Sequence, residues 1–311
     1  MGKKKIILDC DPGHDDAIAI MLAGNNDKID LLGITIVAGN QTLEKTTVNA
    51  LNVCQKLDID VPVYAGCPGP MIRDKQVISS EIHGETGLDG PIFDPLTKKM
   101  EEQHAVDFIS ESLINSDGDI TYVSTGPLTN LAMAMRLNPA IVEKIDEIVI
   151  MGGSYQLGNV TPAAEFNILA DADAAHVVFT SGINVVMVGL DVTRKVLCFP
   201  SIVERMKKHN TAAATLFADL MKFFNMSQKE VFGWDGGPLH DPVTIAYLID
   251  PSVLETKPVF TQIDIRSTQS YGRTNCDFFN ISEEEKNSDI AVDIDVEKFW
   301  DIIESAIIGY K

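Results

Sequence analysis

Short apolar runs alternate along this chain with stretches in which apolar residues recur every three or four positions. The first run, Ile6-Ile7-Leu8, leads through an acidic segment into a helical pattern that begins near His14. Runs rich in Val and Ile predict buried strands, and the helical pattern after each predicts a connecting helix. The predicted strands cover residues 6–8, 32–37, 61–64, 120–124, 147–151 and 184–189, and the predicted helices cover residues 14–21, 42–57, 102–115, 128–144 and 171–180.

This alternation predicts one α/β domain, residues 1–311, with a mostly parallel, Rossmann-like central sheet flanked by helices. The Gly- and Pro-rich stretch 66–95 and the polar stretch 266–288 are interpreted as loops or insertions within that domain. Ligands of open parallel sheets bind at the carboxyl ends of the strands. Polar residues that directly follow a strand are therefore the candidates for function.

Charge and composition restrict the partners. Lys and Arg total 25 against 45 Asp and Glu, a net charge of −20, and so acidic a surface repels a phosphate backbone. We expect no nucleic-acid partner. Five scattered cysteines without zinc spacing indicate reduced thiols in a cytoplasmic protein. A secretory signal and a membrane span of roughly 20 apolar residues are both missing from the sequence, so we expect no membrane partner.

The first predicted strand is joined to the first helix by the segment DCDPGHDD, residues 9–16. Its four aspartates repel one another unless a cation neutralises them. Hard carboxylate oxygens favour Ca²⁺ or Mg²⁺ over zinc. Capping of a helix N-terminus explains one or two of these aspartates. Adjacent Asp15 and Asp16, with Asp11 just upstream, exceed what capping needs and favour a metal site.

A second acidic position, Asp241, follows His240 at a loop-to-helix transition. Asp241 is a candidate to complete the metal shell, and His240 beside it suits acid catalysis because an ordinary imidazole has a pKa near 6.5. On its own this pair is weak, since a His at a helix start is more often a capping or core residue. The N-terminal acidic cluster is what favours the functional interpretation.

A third group comprises Glu165 and Asn167, preceded by Asn159. A spacing of two on an extended segment puts Glu165 and Asn167 on the same side, where they match the vicinal hydroxyls of a sugar. From these residues alone, a polar loop explains them equally well. Thr125 ends a predicted strand, and its backbone carbonyl is a further candidate metal ligand.

The acidic segment 9–16 resembles the signature of the inosine-uridine-type nucleoside hydrolases. The resemblance continues through IVAGN at 36–40, HGETGL at 83–88, TGPLTN at 125–130, MGG at 151–153, AEFN at 164–167 and HD at 240–241. It therefore spans nearly the whole chain. It implies the nucleoside hydrolase fold, a homotetramer, and calcium-dependent hydrolysis of ribonucleosides to ribose and free base in nucleoside salvage.

The resemblance also implies roles for individual residues. One Ca²⁺ would be bound by Asp11, Asp16, the carbonyl oxygen of Thr125 and Asp241, and Asp11 would be the general base for a water molecule held by the ion. The ribose hydroxyls would be held by Asp15, Asn40, Asn159, Glu165, Asn167 and Asp241. The base side of the pocket would be lined by His83 and His240, with His240 as the leaving-group acid and His83 as its possible substitute.

Base preference depends on two further positions. Gln228 matches a position that contacts the base in bacterial pyrimidine-preferring members of that family. Those members have Tyr where this chain has Phe232, so one hydroxyl contact is missing. The resemblance implies a preference for uridine and cytidine, and the change at Phe232 puts that preference, but not the reaction, in doubt.

Two other classes of protein compete with this interpretation. Haloacid-dehalogenase-type phosphatases also have an Asp-x-Asp after their first strand, but they need Thr or Val where this chain has Gly13 and would use Mg²⁺. A non-enzymatic sugar-binding protein would keep the hydroxyl contacts without a water-activating metal. Stoichiometric binding without release of ribose would identify that second class.

Overall fold

A computed structural model of the protein describes residues 2–310. Its strands are β1 (Lys4–Cys10), β2 (Ile29–Ile36), β3 (Val63–Ala65), β4 (Ile120–Ser124), β5 (Ile145–Met151), β6 (Val185–Val188), β7 (Leu197–Cys198), β8 (Gly237–Pro238), β9 (Leu254–Ile263), β10 (Thr274–Asp277) and β11 (Ser288–Ile294). Its α-helices are α1 (His14–Gly24), α2 (Leu43–Lys56), α3 (Ser80–His83), α4 (Ala105–Ile114), α5 (Thr129–Leu137), α6 (Phe166–Ala170), α7 (Ala172–Phe179), α8 (Leu190–Thr193), α9 (Pro200–Lys207), α10 (Ala212–Phe232), α11 (Pro242–Ile249) and α12 (Val296–Gly309).

The predicted central sheet is confirmed. Within residues 2–310 it has nine strands in the order β10-β9-β11-β6-β5-β4-β1-β2-β3. The strands from β11 to β3 pair in parallel, whereas β9 pairs antiparallel with β11 and β10. Helices cover both faces: in β1, Ile6 and Leu8 pack into the apolar cluster on one face, and Ile7 packs into the cluster on the other. This alternation follows from the two-residue period of a strand.

Some sequence-based assignments differ from the structure. The helix predicted over 128–144 ends at Leu137 and gives way to a 3₁₀ turn, Pro139–Lys144, because proline lacks the N–H that an α-helix needs and restricts the residue before it. The stretch 66–95, interpreted as a loop or insertion, contains helix α3, and the stretch 266–288, interpreted in the same way, contains strand β10. That strand is short, polar and at the edge of the sheet, so it has no apolar run to reveal it.

The topology brings the carboxyl ends of five neighbouring strands, β6, β5, β4, β1 and β2, to one edge of the sheet. The turns that leave β1 and β4 are held together because Thr125 N donates to the carbonyl of Asp9 at 2.8 Å. None of the helices described in residues 2–310 combines the length and apolar character that crossing a membrane requires.

Candidate active site

A cavity of about 300 Å³ opens at this edge of the sheet. It brings together most of the residues singled out from the sequence: Asp15, Asn40, His83, Thr125, Asn159, Glu165, Asn167, Gln228, Phe232, His240 and Asp241. Asp11 and Asp16 do not line the cavity. Both are fully buried and contact residues that do line it, since Asn40 Nδ2 lies 3.1 Å from the Asp11 carbonyl and 3.2 Å from Asp16 Oδ2.

Three carboxylates form the centre of the site. Asp15, Asp16 and Asp241 each offer an oxygen, and these oxygens lie within 4.8 Å of one another. The first two come from the first turn of α1, and the third immediately precedes α11. Asp16 Oδ2 also accepts a hydrogen bond from Gly13 N at 2.9 Å, and its Oδ1 accepts one from Thr125 Oγ1 at 2.7 Å. The side chain that caps the helix thus also belongs to the group that could hold an ion.

Asp11 lies outside this group of three, although the resemblance makes it a metal ligand and makes Asp15 only a ribose ligand. Asp11 Oδ2 accepts from Asn40 N at 2.6 Å. Its buried Oδ1 has no hydrogen-bond partner among residues 2–310, and a Cβ on Gly126 would lie only 2.7 Å from it. An unpaired buried carboxylate oxygen is costly. Together with three neighbouring carboxylates, it fits a hard divalent cation, because such ions prefer oxygen ligands.

Burial governs the protonation of the four carboxyl groups. Loss of water, followed by the charge of Asp16, raises the pKa of Asp15 to about 7. Burial and then neighbouring carboxylates raise the pKa values of Asp11 and Asp241 well above their usual range, and burial also raises the pKa of Asp16. A cation in their midst would reverse these shifts, because an opposite charge favours the ionised form.

The loop and short helix after β5 form the wall where the sugar ligands were predicted. Glu165 caps α6, with Oε1 accepting from Asn167 N at 2.8 Å and Oε2 from Gly153 N at 2.8 Å. Asn167 Nδ2 donates to the carbonyls of Thr125 at 2.8 Å and Met151 at 3.1 Å. The Thr125 carbonyl, a candidate metal ligand from the sequence, therefore already accepts one hydrogen bond. One of its two lone pairs remains for an ion.

Asn159 lies on the loop between β5 and α6, and its Oδ1 is buried without a partner in the described part of the chain. The loop is held from the side by Arg194, which follows α8. Its guanidinium donates to the carbonyl of Leu157 at 3.1 Å and to that of Gly158 at 2.8 Å. The fork of N–H groups on Arg suits such a pair of acceptors.

His240 lies between the carboxylates and α8. Its backbone N–H donates to Asp15 Oδ2 at 3.3 Å, and its Nδ1 lies 2.6 Å from Thr193 Oγ1. Burial of the ring, followed by the charge of Arg194, lowers the pKa of His240 to about 3. The ring is therefore neutral at neutral pH, in contrast to the ordinary pKa near 6.5 that the sequence analysis assumed.

His83 is buried at the end of α3 and also lines the cavity. Its Nδ1 accepts from the backbone N–H of His14 at 3.3 Å and lies 3.1 Å from His14 Nδ1. The ring stacks on those of His14 and Phe224, with centroids 5.3 Å and 5.7 Å apart. Burial, followed by the charges of His14 and His240, lowers the pKa of His83 well below its usual range. Both predicted histidines thus bring neutral rings to the cavity.

The part of the cavity lined by the end of α10 is largely apolar. Gln228, in the last part of α10, is buried there, and its Oε1 has no partner within residues 2–310. Phe232 ends the same helix and stacks on Trp234, with ring centroids 5.1 Å apart. Ile82 and Val231 complete this wall. A single amide among apolar side chains suits a flat ring with a polar edge.

The residues at or beside the site that were not singled out from the sequence include His14, Thr193, Arg194 and Trp234. Thr193 and Arg194 lie a few residues after the predicted strand 184–189, so the rule that sites form at strand ends points to them. His14 lies within the acidic segment that the sequence analysis had already chosen. Trp234 follows a helix rather than a strand, and no sequence signal marks it.

Comparison with known proteins identifies the class to which this fold and site belong. The sequence profile described as "Inosine-uridine preferring nucleoside hydrolase" matches residues 6–301. The chain belongs to this family of nucleoside hydrolases. The family and the α/β fold predicted from the sequence are confirmed.

Individual relatives agree with this assignment. The chain is 54% identical over 310 residues to "Pyrimidine-specific ribonucleoside hydrolase RihB" of Escherichia coli (strain K12 / DH10B), covering 100% of this chain and 99% of the relative. It superposes on "Purine-Preferring Ribonucleoside Hydrolase from Gardnerella vaginalis" with a TM-score of 0.92, 35% identity and 98% of each chain covered. An inosine-uridine preferring nucleoside hydrolase from Bacillus anthracis, 19% identical with a TM-score of 0.84 and covering 98% of this chain and 99% of that one, shares the fold.

Proposed function

We propose that this enzyme hydrolyses the N-glycosidic bond of pyrimidine ribonucleosides, with calcium as its metal ion. One observation carries the proposal. Asp11 Oδ1, Asn159 Oδ1 and Gln228 Oε1 are buried and lack partners among residues 2–310, and all three belong to the predicted site. Buried polar atoms are nearly always hydrogen-bonded. An ion, a sugar and a base are the three groups that would satisfy them.

The ion would be held by Asp11, Asp15, Asp16, Asp241 and the remaining lone pair of the Thr125 carbonyl. Calcium suits such a set better than magnesium, because it accepts six to eight oxygens in irregular geometry whereas magnesium demands an octahedron and keeps several waters. Bound there, calcium would neutralise the carboxylates and supply the attacking water. Asp11 would take the proton of that water as the general base.

The sugar would bind along the wall of Asn159, Glu165 and Asn167, with Asp15 and Asn40 on the side of the carboxylates. Cleavage of an N-glycosidic bond develops positive charge on the ribose. Preorganised carboxylates favour that charge, and contacts to the hydroxyls that tighten in the transition state add several kcal/mol. Glu165 is suited to this task because its backbone contacts already fix its position.

His240, or His83 in its place, would assist departure of the base. With a pKa of about 3, His240 is neutral, so it would act as a hydrogen-bond donor. A natural nucleoside needs this help, whereas 4-nitrophenyl riboside has a good leaving group and needs little. We expect His240→Ala to slow uridine hydrolysis roughly 10²-fold while scarcely affecting the nitrophenyl substrate. Equal losses on both substrates, or a large loss on uridine only in His83→Ala, would move the role away from His240.

Release of reducing sugar from uridine, cytidine, inosine and adenosine, measured side by side with calcium present, tests the proposed reaction and base preference. Gln228 can donate to and accept from the polar edge of a pyrimidine, and a relative 54% identical to this chain is named pyrimidine-specific. We expect larger kcat/KM values for uridine and cytidine. A clear preference for inosine would refute the base preference, and binding without ribose release would refute the reaction.

Assembly, location and biological role are part of the same proposal. The family resemblance supports a homotetramer, and the scattered cysteines support the cytoplasm. Ribose and free base as products would place the enzyme in nucleoside salvage. Sedimentation of the purified protein as a species four times the mass of one chain, and fractionation of cells, test the first two points.

A further inference from the structure

Thr193 is a buried residue at the end of α8 that no part of the proposed reaction uses. Its Oγ1 lies 2.6 Å from His240 Nδ1, and this is the hydroxyl's single hydrogen bond within residues 2–310. A Thr in a helix commonly bonds the carbonyl four residues earlier instead. Here the hydroxyl turns away from its own helix and toward the histidine.

The direction of this hydrogen bond follows from the partners available. If Thr193 accepted a proton from Nδ1, its own hydroxyl proton would be buried without an acceptor, which is unfavourable. The hydroxyl therefore donates to Nδ1. A neutral imidazole carries one N–H, so in His240 that N–H is on Nε2, the ring nitrogen left for a ligand in the cavity.

We propose that Thr193 is a positioning residue that holds His240 in the tautomer with Nε2 protonated, so that its ring offers a donor to the departing base. This inference rests on the proposed role of His240. It goes further, because it names the group that determines which ring nitrogen carries the proton. Without the Thr193 hydroxyl, both tautomers and several ring orientations of His240 are accessible. The N–H on Nε2 is then present only part of the time.

The position of α8 makes this arrangement rigid. The helix directly follows β6, and its first residue, Leu190, donates its backbone N–H to the carbonyl of Gly153 at 2.9 Å. His240 is fixed independently by its backbone hydrogen bond to Asp15. Thr193 and His240 thus meet through two separately anchored segments, as is needed if one residue is to orient the other.

Thr193→Val and Thr193→Ser form a matched pair for the test. Val keeps the shape and removes the hydroxyl, whereas Ser keeps the hydroxyl and removes a methyl group. We expect Thr193→Val to lower kcat for uridine roughly tenfold, the equivalent of one ordinary hydrogen bond, with KM and the rate on 4-nitrophenyl riboside nearly unchanged. Thr193→Ser should retain most of the kcat. In the His240→Ala background, Thr193→Val should cause no further loss.

A second measurement does not depend on activity. In protein labelled with ¹⁵N-histidine, NMR correlation spectra should place the His240 proton on Nε2 in the wild type and in Thr193→Ser, and on both nitrogens in exchange in Thr193→Val. Protonation on Nδ1 in the wild type would overturn the proposal. Two kinetic results would also overturn it: Thr193→Val lowers the rates on uridine and on 4-nitrophenyl riboside equally, or Thr193→Val still lowers the rate on uridine in the His240→Ala background.

These outcomes separate two failures. If His240→Ala leaves uridine hydrolysis intact, the proposed role of His240 fails, and the positioning role of Thr193 fails with it. If His240→Ala slows uridine selectively but Thr193→Val does not, only the inference about Thr193 is overturned.

Discussion

At the scale of single residues, Asp11 has two oxygens in different situations. Oδ2 accepts from Asn40 N at 2.6 Å, which fixes the carboxylate, while Oδ1 is buried without a partner in the described chain. A fixed carboxylate with one free oxygen is what a general base requires, because it must be held in place and still accept a proton. In the neighbouring carboxylates, Asp16 accepts from Gly13 N and Thr125 Oγ1, and Asp15 Oδ2 accepts from His240 N.

Asp11→Asn should therefore lower kcat by about 10²–10⁴-fold on uridine and on 4-nitrophenyl riboside alike, because both reactions need the activated water. Steady-state kinetics with both substrates checks this, and metal analysis shows whether calcium is retained. Asp27→Asn, a change at an exposed aspartate, is the matched control and should leave kcat on both substrates unchanged. A loss confined to uridine would assign Asp11 to the leaving group rather than to water.

Phe232 stands where the family resemblance implies a Tyr in pyrimidine-preferring members. It lines the apolar end of the cavity near Gln228 and is 43% exposed. Restoring the hydroxyl with Phe232→Tyr should raise kcat/KM for uridine and cytidine by up to about tenfold, the equivalent of one hydrogen bond. The kcat/KM for inosine should change less. Phe199→Tyr, at a similarly exposed phenylalanine outside the cavity, is the control. An equal gain in kcat/KM for all bases in Phe232→Tyr would contradict a specific contact.

At the scale of elements, the single turn α8 and the residue after it join the two halves of the site. Thr193 contacts His240, the proposed leaving-group donor, and Arg194 holds the loop that carries Asn159, a proposed sugar ligand. Both contacts come from the end of β6, so a change in α8 would affect His240 and the loop that carries Asn159 together.

Arg194→Lys should loosen the loop that carries Asn159, because an ammonium group cannot match the two carbonyls that the guanidinium fork binds. We expect KM for uridine to rise several-fold, as for the loss of one or two hydrogen bonds, with a smaller effect on kcat. In the double variant Arg194→Lys with Asn159→Ala, the losses of uridine binding should be less than additive, since both changes act on the same contact. Lys195→Arg, next in the chain, is the control. Fully additive losses would show that Arg194 acts elsewhere.

Much of this element-scale organisation was predictable. Apolar β-branched runs indicated the parallel strands β1 to β6, but not β11. The polar residues after these strands indicated the carboxylate site, because strand period is a local property of sequence and sites in open parallel sheets lie at the carboxyl ends of strands. Contacts between distant segments were not predictable from the sequence. The bond from Asn167 to the Thr125 carbonyl, the stacking of His14 on His83 and the placement of Thr193 beside His240 depend on tertiary packing. No pattern along the chain encodes them.

At the scale of the whole molecule, the buried carboxylates link metal binding to stability. Four acidic side chains lie together in a chain whose net charge is −20, and a cation that binds only the folded state stabilises it by mass action. At a hundredfold excess over its Kd, calcium should contribute about 2.7 kcal/mol and raise Tm by several degrees over protein in EDTA. Differential scanning calorimetry with and without calcium checks this. Equal Tm values would contradict an ion site of this strength.

The same carboxylates give the metal-free protein a pH dependence of known sign. The pKa of Asp15 is raised from 3.8 in the unfolded chain to about 7 in the folded one, so between these values the folded state binds more protons. Its stability should therefore fall as pH rises from about 4 to about 7. In EDTA, Tm should be higher at about pH 5.5 than at about pH 8, and calcium should reduce that difference because it favours the ionised carboxylates. Asp15→Asn removes one of the four carboxyl groups whose pKa burial raises, and it should reduce the pH dependence in EDTA. If the wild type and Asp15→Asn show the same slope in EDTA, the buried carboxylate does not control stability.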